Sequence, residues 1–233
     1  MASKRTFLVT AAALFACASV LWAGDSASFV DLGFSPDGRI YMFAQYGVQV
    51  NTLKPWAELF VVDVPRNNFV PGGKVSYAHD SPVIAGQDGS GALYRIISGN
   101  ANLAERNGVN YLNQGQPLYV ALDGEPPASG EIIEFRNFET GTSFKANLVP
   151  YVEGSGRDLK SSFFINLESS SAGGVRKTYT IGTPQLKRSL VSSYRVKKVM
   201  IAPRDGSMIF VIEMKKQAEG GYDIRYMVEA LRL

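Results

Sequence analysis

The sequence predicts a mainly β fold, a single domain of antiparallel strands and hairpins with one central helix. Three observations predict it. Ser28–Phe34 and Arg39–Tyr46 are alternating runs joined by Ser35-Pro36-Asp37-Gly38, where the proline sets φ and the glycine admits φ > 0. The last third is a series of strand-like runs separated by turn residues. Only one window, from Ser90 to about Asn107, has apolar residues at helical spacing. With 233 residues, 45% hydrophobic and 19% charged, the composition excludes a wholly disordered or collagen-like chain.

The chain opens with an address. Lys4 and Arg5 precede a charge-free run, Thr6–Trp22, and polarity returns at Gly24-Asp25-Ser26. That run is shorter than the roughly 20 apolar residues a membrane-crossing helix needs, so residues 1–23 read as a cleavable secretory signal, with no transmembrane span in the mature chain. Ala16-Cys17-Ala18 and Leu21-Trp22-Ala23 both offer small residues to a signal peptidase, and cleavage after Ala23 is expected. Leu14-Phe15-Ala16-Cys17 also resembles a loose lipobox, which would leave Cys17 lipidated and the protein anchored. Cys17 is the single cysteine, so either soluble product has no disulfide, no thiol chemistry and no Cys-based zinc site.

Residues 24–233 are expected to form one β-rich domain. Glu58–Val64 is a third strand, ended by Pro65 and two asparagines. Pro71, Gly72, Gly73, Pro82, Gly86 and Gly89 mark Val70–Ser90 as irregular loop. A helix near 91–107 follows, with Ser90 as its N-cap and a weak point at Gly99-Asn100. Beyond it come a strand at Pro117–Leu122, a Pro/Gly-rich break at Asp123–Gly130, and a hairpin from Glu131–Phe138 and Ser143–Tyr151. A strand at Ser161–Leu167 leads into Glu168–Gly174, small and polar, read as an exposed loop. The end of the chain supplies Arg176–Ile181, Tyr194–Ala202, Ser207–Lys215 and Tyr222–Leu231. Pro203-Arg204-Asp205-Gly206 repeats the earlier turn with one inserted residue, which makes the two hairpins a pseudo-repeat.

Charge is uneven along the chain. From Asp25 to Val175 acids outnumber bases 16 to 10, whereas from Arg176 to Leu233 bases outnumber acids 12 to 5. A basic zone on an exported protein suits an anionic envelope component, and the candidate contacts are Lys187, Arg188, Arg195, Lys197 and Lys198. The bland alternative is internal pairing with the acidic first two-thirds. Nucleic acid is not expected, since the address is extracytoplasmic and no recognition motif accompanies the charge.

Phe34-Ser35-Pro36-Asp37-Gly38-Arg39, Phe43-Ala44 and Tyr46-Gly47-Val48 near the start resemble a family of predicted secreted bacterial proteins of unknown function. Tyr179-Thr180-Ile181-Gly182, Val191-Ser192-Ser193-Tyr194-Arg195, Ala202-Pro203 and Ile224-Arg225-Tyr226-Met227-Val228-Glu229 near the end carry the same resemblance. Residues from about Ala78 to Gly174 share mainly the helix. The family has no assigned activity, so the resemblance implies export and nothing catalytic. The Ser-Pro-Asp-Gly turn is also similar to that of TolB-like propeller repeats, which leaves a small or partial β-propeller as the alternative fold. Against it, Asp37 and Asp205 are 168 residues apart, far from a period near 40.

Chemistry is sparse. His79 is the only histidine, and His79-Asp80-Ser81 cannot form a triad from sequence neighbours. No metal site is expected from one histidine and no mature cysteine, and no cofactor. Asp88-Gly89-Ser90-Gly91 is turn and cap chemistry, lacking the spaced acids of a calcium loop. Glu131, Glu134 and Glu139 are carboxylates on a hairpin, with exposure the usual outcome. The function read from the sequence is an exported envelope protein acting as a non-catalytic binding or structural module. A periplasmic hydrolase with a carboxylate or His79 centre is the alternative.

Overall fold

A computed structural model describes residues 24–84, 86–122, 132–219 and 221–233. The expected signal segment with Ala23 and Cys17, the break at Asp123–Gly130, and Glu131 at the start of the expected hairpin lie outside the described residues. The protein is mainly β, and its described residues form three antiparallel sheets and two short helices.

The first sheet is a meander of β1 (Ser28–Phe34), β2 (Ile40–Val48), β3 (Pro55–Asp63) and β4 (Asn68–Ala78). The first part of the expected loop, Val70–Ala78, belongs to this fourth strand. The register slips between Phe60, paired with Lys74, and Val62, paired with Phe69. Pro71, Gly72 and Gly73 therefore sit in a bulge on an edge strand, the one sheet position that tolerates missing donors and missing side chains.

Two helices replace the single one expected: α1 (Ser90–Gly99) and α2 (Ala101–Arg106). Asn100 divides them, its Nδ2 donating to the Ile96 carbonyl at 2.8 Å in place of a helical continuation. The N-cap of α1 is Gly89, not Ser90. Asp88 instead accepts from the Ser90 amide at 3.1 Å and hydroxyl at 2.6 Å, hydrogen bonds that hold its carboxyl below the usual range.

The remaining strands are β5 (Gln116–Val120), β6 (Ile132–Asn137), β7 (Thr142–Glu153), β8 (Lys160–Ser170), β9 (Arg176–Ile181), β10 (Arg188–Ser189), β11 (Val191–Ile201), β12 (Met208–Ala218) and β13 (Gly221–Leu231). The second sheet runs β13-β12-β11-β5 and the third β10-β8-β7-β6, with β9 also paired to β8. The polar stretch expected as a loop from Glu168 begins inside β8. It shrinks to a tight turn in which the Ser171 amide donates to the Val175 carbonyl at 2.9 Å and the Ser171 Oγ accepts from the Val175 amide at 3.1 Å.

The second sheet is the middle layer. Along β12, Met208, Phe210 and Ile212 face the third sheet, packing with Phe163, Ile165 and Leu167, while Ile209 and Val211 face the first, packing with Tyr41, Phe43 and Phe60. Met208–Ile212 of β12 are buried without a break because both faces of the strand are covered, which is why this run is apolar at successive positions. The opposite face of the first sheet is closed by Ala92, Leu93, Ile96, Leu103 and Ala104 of the helices. The stack thus ends in helices on one side and, on the other, in the solvent-facing side of the third sheet. It is an open pile of sheets, not a ring of propeller blades.

Polar links tie the layers together. Lys198 on β11 lies 2.5 Å from Asp31 on β1, whose other oxygen accepts from the buried Tyr41 hydroxyl. Burial and that carboxylate push the Tyr41 hydroxyl well above its ordinary value. Glu229 on β13 accepts from Asn67 of the first sheet at 2.5 Å and lies 3.7 Å from Arg188 of the third.

Candidate ligand-binding cleft

Strand register builds the candidate site on the third sheet. Directly paired residues share a face, and the pairs Arg136–Ser143, Ser143–Ser170 and Ser170–Arg176 place one row across four strands: arginine, serine, serine, arginine. Both arginines are exposed. The next row on this face is Glu134, Lys145, Glu168 and Thr178. On the opposite face between them runs Phe135, Phe144, Ser169 and Lys177, whose phenylalanines stack at 5.3 Å.

Residues of all three rows line one cleft of about 920 Å³, together with Leu118 and Tyr119 of β5 and Phe138, which is 86% exposed. That volume lies within the range of small-molecule sites. Among the described residues, Arg136, Arg176 and Lys177 have no hydrogen-bond or ion-pair partner. Lys145 approaches Glu134 only to 3.9 Å, with both side chains largely in water. Unpaired guanidiniums beside two hydroxyls in a concave surface present planar donors suited to phosphate, sulfate or carboxylate oxygens.

The five cations singled out from the sequence are dispersed. Lys187 pairs with Glu153 at 2.6 Å on the surface. Arg188, its side chain 15% exposed, stacks over Phe163 at 5.1 Å and Tyr194 at 6.0 Å as well as meeting Glu229. Arg195 is buried, with Nη2 donating to the Leu122 carbonyl at 3.4 Å. Lys197 is half-buried and has a partner, and Lys198 is held between sheets by Asp31. Arg176 and Lys177, at the start of the same basic stretch, are the members that reach the cleft. The signal that finds them is register, which a single sequence does not display.

His79 lies at the far end of the molecule's layering, just past β4 of the first sheet, exposed, with Nδ1 3.0 Å from the Tyr77 hydroxyl. Asp80 and Ser81 are exposed beside it. Among the described residues no group of three or more His, Cys, Asp or Glu gathers as a metal site. Nor is any helix among them long and apolar enough to cross a membrane.

Comparison with protein families matches residues 42–232 to one described as "Predicted secreted protein (DUF2259)". The chain belongs to this family. The match leaves out β1 and the first two residues of β2 and covers the other strands and both helices described above. Membership makes this a predicted secreted protein of a family without an assigned activity. Comparison with curated proteins finds no match.

Proposed function

We propose that this DUF2259 protein is an exported, non-catalytic binding module of the cell envelope whose ligand is anionic and docks in the cleft of the third sheet. Residues 1–23 direct export and are removed after Ala23, releasing the protein to the periplasm or the exterior. The observation that carries the reading is the Arg136-Ser143-Ser170-Arg176 row, with both guanidiniums unpaired among the described residues. Without residues 1–23 the chain holds 22 basic and 21 acidic residues, so attraction for an anion comes from local arrangement and not from net charge.

The test is retention of the secreted chain on immobilised polyphosphate, with neutral dextran as control. The wild-type chain is retained and Arg136→Ala/Arg176→Ala is not; equal retention of the two proteins contradicts the reading.

One observation favours hydrolysis as the second reading: Glu134 and Glu168 come from separate strands and line the same cleft, two strand spacings apart, about 10 Å. Glu134 is open to water, with its side chain 73% exposed, and lacks the apolar surrounding on which general-acid chemistry relies. Turnover of an anionic polysaccharide that is abolished by Glu134→Gln and Glu168→Gln would favour hydrolysis over binding.

A further inference from the structure

We infer, resting on the anion reading of the cleft, that the ligand is a glycan strand in which acidic sugars are spaced by neutral ones, lying lengthwise on the solvent-facing side of the third sheet from the Arg136–Arg176 row to Tyr151. β7 and β8 pair without a register shift from Ser143–Ser170 to Glu153–Lys160, so every second residue of β7 from Ser143 to Tyr151 stands on the same face as the arginine row. Beyond the row of Glu134, Lys145, Glu168 and Thr178, this face continues with Asn147 directly opposite Asn166. It ends in Tyr151 and Phe164, diagonal neighbours whose rings stack at 5.8 Å. Tyr151 is 55% exposed. From Ser143 to Tyr151 the strand covers about 26 Å, room for several sugar rings in line.

The chemistry along the face suits a sugar polymer better than a bare polyanion. Asn147 and Asn166 are half-buried, and neither side chain has a hydrogen-bond partner among the described residues, so two amides present donors and acceptors to hydroxyl groups. The exposed Tyr151 ring offers an aromatic surface for the C–H face of a pyranose, with a hydroxyl at its edge. Glu134 and Glu168 lie one row from the arginines, about 7 Å along the strands. Their carboxylates repel a ligand charged at every unit but accept hydrogen bonds from hydroxyls. A polyphosphate can therefore lie across the arginine row without running on toward Tyr151, whereas a glycan that places an acidic group between Arg136 and Arg176 and neutral rings beyond it matches the face along its length.

The test is calorimetric titration of the full secreted chain with hyaluronan oligosaccharides from tetra- to decasaccharide, in which glucuronate and N-acetylglucosamine alternate, with chitin oligosaccharides as neutral counterparts and with polyphosphate. Hyaluronan affinity is expected to rise with length until the strand reaches Tyr151, then to level off. Tyr151→Ala lowers affinity for the decasaccharide by about two- to tenfold and leaves polyphosphate unchanged, while Tyr151→Phe, which keeps the ring, binds as wild type. Asn147→Ala/Asn166→Ala likewise weakens hyaluronan alone. Arg136→Ala/Arg176→Ala weakens hyaluronan and polyphosphate together. Binding of polyphosphate without hyaluronan, or hyaluronan affinity untouched by both Tyr151→Ala and the asparagine pair, overturns the glycan and leaves the anion reading standing. Failure of both polyanions to bind overturns both. Chitin oligosaccharides bound as tightly as hyaluronan would show that charge plays no part and would also overturn the inference.

Discussion

Gly38 rests against the main chain of Pro203: a methyl carbon built on Gly38 would stand 1.9 Å from the Pro203 carbonyl oxygen. The two turns, Ser35–Gly38 between β1 and β2 and Pro203–Gly206 between β11 and β12, therefore touch across the first and second sheets. Gly38 also has φ +75°, so its side-chain hydrogen is required twice over, by backbone conformation and by space. Gly38→Ala is expected to destabilise the fold by about 2–4 kcal/mol, read as a lowered midpoint in urea. A loss within experimental error would mean that the turns do not bear on each other.

Lys198 and Asp31 make a second joint between the same sheets, at 2.5 Å and with side chains 23% and 20% exposed. Reversing Lys198→Glu sets two carboxylates against each other and is expected to lower stability by about 3 kcal/mol or more. Asp31→Asn in the same chain recovers part of that. Arg136→Glu, on the exposed face, should leave the urea midpoint within about 0.5 kcal/mol of wild type. The contrast separates cations that hold the fold from cations available to a ligand, and similar losses for both variants would erase that distinction.

Burial pushes the carboxyls of Glu229 and Asp25 above their ordinary values, in Glu229 against the pull of Asn67 and Arg188, in Asp25 against that of Arg225 and Trp56. An acid whose folded pKa is raised takes up its proton in the folded state before the unfolded chain does. Its contribution is least favourable at neutral pH, improves as pH falls through the raised value, and levels off below the unfolded value. Glu229→Gln, which keeps an acceptor for Asn67, should flatten that part of the stability curve between neutrality and about pH 4.5. Urea unfolding at a series of pH values checks it, and an unchanged slope in the variant contradicts it.

Asp25 is tied down by the Trp56 indole at 2.6 Å and by Arg225 at 2.8 Å, the guanidinium lying 4.3 Å from the indole ring. This clamp seats residues 24–28 beside β13, where the Ala27 amide donates to the Ile224 carbonyl at 3.2 Å. Trp56→Phe removes the indole donor from a buried carboxylate and is expected to cost about 1–3 kcal/mol. Limited proteolysis should then reach residues 24–28 before the rest of the domain; unchanged protection there would sink the clamp.

The β class, the hairpin at Ser35–Gly38 and the final strands were legible because turn residues and alternation are local signals. The β4 strand was not: its proline and glycines look like a loop and are a bulge, acceptable only because β4 lies at a sheet edge, a fact of tertiary arrangement. The helical window and its weak point at Gly99-Asn100 were legible; that two separate helices form there was not, since the Asn100 side chain takes the Ile96 carbonyl, a contact that spacing alone does not display. The basic C-terminal third was visible as charge. Which of its members meet acids was hidden, because Asp31, Glu153 and Glu229 lie far away in sequence from Lys198, Lys187 and Arg188. Arg136 belonged to no basic run at all and joins Arg176 only through the register of four strands.

The measurement that bears most directly on the cleft is the salt dependence of polyphosphate binding by the secreted chain and by Arg136→Ala/Arg176→Ala. Each cation in contact with a polyanion releases counterions and steepens the fall of affinity with salt. The account predicts a clearly shallower slope and at least tenfold weaker binding at low salt for the double variant, with an unaltered urea midpoint. Identical slopes and affinities for the two proteins would contradict it and remove the third sheet's cleft as the anion site.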